Sequence, residues 1–215
     1  MYTPIEPGDI ERRSFEIIEA EASGQHGFPK EAWLIVRRMI HTTADFELPS
    51  LARFHPDAIG EGIAALIKGC LIVTDTQMAR MGITGRRMDR LGCTVACHMD
   101  APEVRDKARQ ENTTRASAAV DMALPLLDRG IYVVGNAPTA LIRLLEWVER
   151  GACHPALIVG MPVGFVNAAE SKEMLMAQKG IPYITIKGRK GGSALAACVV
   201  NQLAEMALER INRGK

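Results

Sequence analysis

The sequence predicts an α/β protein with three layers, α/β/α, around a mostly parallel sheet of about five strands. Short apolar runs bounded by turn residues recur at 70–74 ("CLIVT"), 93–97 ("CTVAC"), 131–135 ("IYVVG"), 156–160 ("ALIVG") and 182–186 ("PYITI"). Stretches with helical periodicity lie between and around them, at 9–22, 30–42, 56–68, 113–128, 138–149, 168–178 and 193–211. The runs are apolar on both faces, as strands covered from either side must be.

In chain order, three helical segments precede the first strand. Residues 1–69 therefore read as a helical cover and 70–215 as the sheet part. In the second of these helices, "KEAWLIVRRMIHTTADFE" (30–47), Trp33, Val36 and Ile40 form an apolar face, while Leu34, Arg38 and His41 fall at i, i+4 and i+7 on a neighbouring one. The run at 93–97 is β-branched and alternating, which puts Cys93, Val95 and Cys97 on one face and His98 on the other. "ENTTRASAAV" (111–120) opens a helix with Asn112 or Thr113 as cap, and "GNAPTAL" (135–141) puts Pro138 in a first turn with Asn136 as a possible cap. In "GMPVGFVNAAESK" (160–172) two glycines and an asparagine precede the next helix, and "GRKGGSALAA" (188–197) runs through glycines into the last one. No repeat, low-complexity tract or flexible linker divides the chain, so 1–215 reads as one domain.

Composition narrows the function. Hydrophobic residues at 47% and charged ones at 24% are ordinary for a globular chain, and a formal charge of +1 gives no reason to expect nucleic acid or an anionic membrane. No apolar run is long enough to span a bilayer, and the polar, acidic N-terminus is unlike a signal peptide. The cytoplasm is the expected compartment. The five cysteines are scattered and odd in number, which fits reduced thiols, and Cys93, Cys97 and His98 lack the second ligand pair of a zinc site. No metal site is expected.

Ligands of such sheets sit beyond the carboxyl ends of the strands, so the segments leaving those ends are where chemistry is sought. The loop at 188–193 could hold an anion on a helix N-terminus with Arg189, Lys190 and Ser193, or be an ordinary turn with Ser193 as helix cap. Arg115 lies in a first helical turn, where a cation opposes the helix dipole and hints at another use. There is no G-x-G-x-x-G, no P-loop and no G-x-S-x-G elbow. A free imidazole has a pKa of about 6.5, which suits histidine as a residue type to acid–base work near neutrality, and Arg38 beside His41 could bind a carboxylate. Spacing alone leaves it either an acid–base residue or a histidine that ends a helix.

Seven segments, in order, carry a resemblance: "ERRSFEIIEAEA" (11–22), "VRRMIHTTADFE" (36–47), "VTDTQMARMGIT" (73–84), "NTTRASAA" (112–119), "GNAPTAL" (135–141), "GMPVGFVNAAESK" (160–172) and "GRKGGSA" (188–194). The set resembles the precorrin-8X methylmutases, or precorrin isomerases, of cobalamin biosynthesis. The resemblance implies a Rossmann-like α/β/α fold and a homodimer with its corrinoid substrate near the subunit interface. It also implies a reaction, the [1,5]-sigmatropic shift of a methyl group from carbon 11 to carbon 12, giving hydrogenobyrinic acid or its cobalt analogue. No cofactor is implied. His41 falls on the family's proton donor and acceptor, and the family's substrate contacts fall on Ser14, Arg38, Thr84, Arg115, Arg189 and Ser193. Two rivals stand beside this reading: a corrinoid carrier that holds the macrocycle without rearranging it, and a nucleotide-dependent enzyme, which the missing glycine fingerprint disfavours.

Overall fold

The computed structural model describes residues 6–22 and 27–214, so residues 1–5 of the polar N-terminus lie outside it. Two helices come first, α1 (Ile10–Ala22) and α2 (Lys30–Thr43), followed by the short α3 (Leu48–Leu51) and β1 (Ala52–Phe54). Next are α4 (Ala58–Ile67), β2 (Leu71–Thr74), α5 (Gln77–Gly82), α6 (Gly85–Leu91) and β3 (Thr94–Ala96). The remainder is α7 (Pro102–Gln110), α8 (Arg115–Ala123), β4 (Ile131–Val134), α9 (Pro138–Glu149), β5 (Leu157–Gly160), α10 (Ala168–Ala177), β6 (Tyr183–Ile186) and α11 (Ser193–Arg213).

The sheet has six strands in the order β1-β6-β5-β4-β2-β3. Five are parallel, and β1 runs antiparallel to β6 at the edge. The sixth strand corrects two expectations. The sheet is larger by one, and the first third of the chain is not wholly helical, because "ARF" at 52–54 joins it. Three residues are too few for an alternating pattern to stand out in sequence.

β4 and β5 are buried at every position, which matches their unbroken apolar runs. On one face α2, α4 and α11 share a core with Ile72, Ile131, Val133, Leu157 and Ile184. On the other, residues of α8, α9 and α10 pack with Val73, Tyr132 and Ile158. Alternate strand residues thus feed opposite layers. Four alanines of α11 (Ala196, Ala197, Ala204 and Ala207) are buried and bring its backbone close to the sheet and to α2. Four further helices (α3, α5, α6 and α7) lie outside the helical stretches expected from the sequence; the first three are only four, six and seven residues long.

Asp121 of α8 ties the far layer together. Its nearly buried carboxylate accepts two bonds from Arg143 of α9, at 2.7 and 3.1 Å, and one from Trp147 at 2.7 Å. Burial raises its proton affinity, but the bonds from Arg143 and Trp147 outweigh that and hold the carboxyl below its ordinary value of 3.8. A depressed folded-state pKa means a contribution that is complete above the unfolded value and lost as pH falls through the folded one. Asp121→Asn is expected to lower stability by about 1–3 kcal/mol at neutral pH. Thermal melts should show that deficit shrinking below about pH 4, the ordinary aspartate range.

Candidate active site

α2 delivers His41 on its last turn, and the helix stops at Ala44, whose left-handed backbone (φ 54°) lets its N–H close on the carbonyl of Ile40. Trp33, Val36 and Ile40 are buried, so the apolar face read from the sequence is the one that fixes α2 to the core. Arg38 and His41 then border a cavity of about 290 Å³ whose far wall is α11, through Ala194, Ala197, Cys198, Asn201 and Glu205. Arg87 of α6 closes a third side.

The cavity is held by a web of ion pairs. Arg38, its side chain only 16% exposed, donates to Glu11 of α1, to Gln202 at 3.1 Å and to Glu205 at 3.3 Å. Arg87 reaches the same Glu205 at 3.4 Å and the Thr84 hydroxyl at 3.2 Å. The bond from Arg38 holds the Glu11 carboxyl below its ordinary value, with the charges of His41 and Arg87 adding to it. Phe15 lies under this group, its ring 5.1 Å from the His41 ring and beneath the guanidiniums of Arg37 and Arg38 at 4.3 and 4.8 Å. Positive charge beside an aromatic face and an imidazole makes a region suited to an anionic, planar ligand.

A second cluster sits where the sheet's winding reverses, between β2 and β4. Ligands of doubly wound sheets are found at such a switch point. Here the carboxylate of Asp75, 1% exposed, accepts the backbone N–H groups of Gly135, Asn136 and Ala137 at 2.7–2.8 Å. The helix start that would bind a phosphate is thus filled by the chain's own anion. Burial raises the affinity of this carboxyl for a proton, and the three N–H donors pull against it, leaving it above its ordinary value. Beside it the Thr76 and Ser193 hydroxyls meet at 2.8 Å. A methyl group on Gly135 would lie 2.6 Å from the Cα of Ser193, so Gly135→Ala must displace the start of α11. That substitution is expected to cost about 1–3 kcal/mol, measured by denaturant unfolding.

A family model described as precorrin-8X methylmutase matches residues 9–206. The chain belongs to the precorrin-8X methylmutase family. It is 43% identical over 212 residues to a cobalt-precorrin-8 methylmutase of Leptospira interrogans, covering 95% of this chain and 96% of that one. It is 42% identical to the precorrin-8X methylmutase of Pseudomonas aeruginosa, with 91% and 93% covered. Among solved structures it is similar to the precorrin-8X methyl mutase of Thermus thermophilus, with a TM-score of 0.87, 44% identity, and 94% and 97% of the two chains covered.

With the methylmutase family established, the places of the expected residues can be compared. His41 and Arg38 line one cavity, and Thr84 joins it through Arg87. Ser14 lies three residues after Glu11 on α1, its hydroxyl donating to the Ile10 carbonyl at 2.9 Å. Ser193 opens α11 directly before Ala194 of the cavity wall, but as first helical residue, with Gly192 in the cap position. Arg189 is exposed in the preceding loop, its guanidinium 5.6 Å from the Phe165 ring. Arg115 lies apart, on α8 across the sheet, beside a cleft with Arg105 and Arg109. The caps differ from expectation: Thr114, not Asn112 or Thr113, caps α8, and Ala137, not Asn136, precedes α9, where Asp75 does the capping. Asn112 takes a left-handed turn (φ 49°) before the helix. Residues the sequence reading missed are Glu11, Asp75, Arg87, Asn201, Gln202 and Glu205. Asn201 and Glu205, four apart on a largely apolar helix, carried a usable signal, because polar groups there need a reason.

Proposed function

We propose that this chain catalyses the methyl shift from carbon 11 to carbon 12 of precorrin-8X or its cobalt form, giving hydrogenobyrinic or cobyrinic acid. His41 serves as donor and then acceptor of one proton. A proton given to a ring-C nitrogen alters the conjugation and eases migration, and its return leaves no net change. The observation that carries this reading is the meeting of His41, Arg38 and Arg87 at one cavity, with Phe15 against the His41 ring, in a chain of this family. Ser14, Arg38, Thr84, Arg115, Arg189 and Ser193 are proposed as the contacts for the substrate's carboxylates, an anion-rich set of ligands that guanidiniums and hydroxyls suit.

The enzyme is proposed to act as a homodimer. A cavity of about 290 Å³ takes only an edge of a tetrapyrrole-sized molecule. Arg115 stands across the sheet from His41, so one macrocycle would meet both only if they came from two copies. Phe165 and Val166, after β5, are 83% and 77% exposed, an apolar surface that a second copy would cover. We read the chain as a single domain acting in the cytoplasm. Its five thiols are unpaired, and no helix of the described residues is long and apolar enough to cross a membrane.

Incubation of purified protein with precorrin-8X, and in parallel with cobalt-precorrin-8, tests the reading through the absorption spectrum. Catalysis converts many equivalents of pigment with a change of conjugation. A shift that stops at one equivalent per site would make the chain a carrier instead.

A further inference from the structure

Lys172 of α10 is a buried charge that the proton transfer does not use. Its side chain is inaccessible to solvent, and its ammonium donates to the backbone carbonyl of Lys190 at 2.6 Å. Desolvation brings its pKa down to about 8. Burying an ammonium is costly, and an unbranched apolar side chain of similar length would fill the same space without that cost. The carbonyl that Lys172 holds belongs to the loop between β6 and α11.

That loop is pinned at several other points. Gly164 donates to the carbonyl of Arg189 at 3.2 Å, and Gly192 to that of Met161 at 2.9 Å. Gly191 packs so closely on the Met161 and Pro162 carbonyls that a methyl group there would lie 2.4 and 2.6 Å from them. The side chain of Lys190 bridges to Asp45 at 2.5 Å and Glu47 at 2.8 Å, just past the end of the helix that carries His41. One residue is therefore gripped from both ends, its carbonyl by α10 and its ammonium by the segment after α2. Arg189 and Ser193 flank it.

We propose that Lys172 is a positioning residue, which fixes the 188–192 loop and through it sets Arg189 and Ser193 for the substrate's carboxylates. The proposal rests on the reading of those two residues as substrate contacts, given above. Lys172→Met tests it in the full-length protein by three measurements: thermal melting, hydrogen exchange of the 188–192 segment without substrate, and steady-state kinetics with precorrin-8X. The melting temperature should stay within a few degrees of wild type, since a desolvated charge is removed along with the bond. The segment should exchange faster. KM should rise about tenfold, the equivalent of one charge-assisted hydrogen bond, with kcat little changed because the proton transfer is elsewhere. Unchanged exchange overturns the clamp, and so does a large fall in melting temperature with kcat and KM both degraded, which marks a general packing role. Faster exchange with an unchanged KM upholds the clamp and removes Arg189 and Ser193 from the substrate contacts instead.

Discussion

His41→Ala is expected to lower the turnover of methyl migration by about 10²–10⁴-fold, the range for loss of a positioned general acid–base group. Stability should change little. The imidazole is only partly buried at the end of α2, and its ring contact is with Phe15, itself partly buried. The buried residues that fix α2, Trp33, Val36 and Ile40, are untouched. Corrinoid affinity should survive too, since Arg38 and Arg87 remain. Single-turnover mixing with precorrin-8X separates the two: pigment should bind and then fail to rearrange. Methyl migration at the wild-type rate would remove His41 from the mechanism. A protein that no longer melts cooperatively would show instead that the side chain is needed to build the site.

The second large effect is expected at Asp75. Asp75→Ala leaves the N–H groups of Gly135, Asn136 and Ala137 without their acceptor, the first of these bonds buried and the other two partly so. Each unsatisfied donor costs about 1–3 kcal/mol, so a total loss of about 3 kcal/mol or more follows even if water recovers part of it. Asp75→Asn keeps the shape but supplies one acceptor oxygen and an NH₂ that faces donors, and should fall between alanine and wild type. Denaturant unfolding measures all three. A loss under about 1 kcal/mol for alanine would mean that the loop finds other partners. Because Gly135 packs on Ser193, the variant should also loosen the start of α11.

The parts of this architecture that the sequence disclosed were those carried by repetition. Five strands were readable because each is a short, mainly apolar run bounded by turn residues, unbroken in β4 and β5, and α2 was readable because Trp33, Val36 and Ile40 recur at helical spacing. β1 escaped because three residues cannot establish a period, and because its place is set by pairing with β6, more than a hundred residues later. The site divides in the same way. His41 and Arg38 share one helix face and could be linked locally. Asp75 lay within a quoted motif, yet its role depends on a loop sixty residues away that only the winding of the sheet brings to it. Glu11 is an ordinary surface acid in sequence, and only the fold turns it, with Glu205, toward Arg38.

Those two glutamates bear on selectivity. Arg38 and Arg87 already hold carboxylates supplied by the chain, so on the substrate role proposed above an incoming acid would bind by exchange, competing with groups tethered at high local concentration. A small free acid such as acetate brings one carboxylate, and the tethered pair outcompetes it. A ligand that carries several carboxylates on one rigid frame can displace Glu11 and Glu205 together, each new contact making the next effectively intramolecular. On the role proposed for Arg38, that exchange would favour a polycarboxylate over the common metabolic acids.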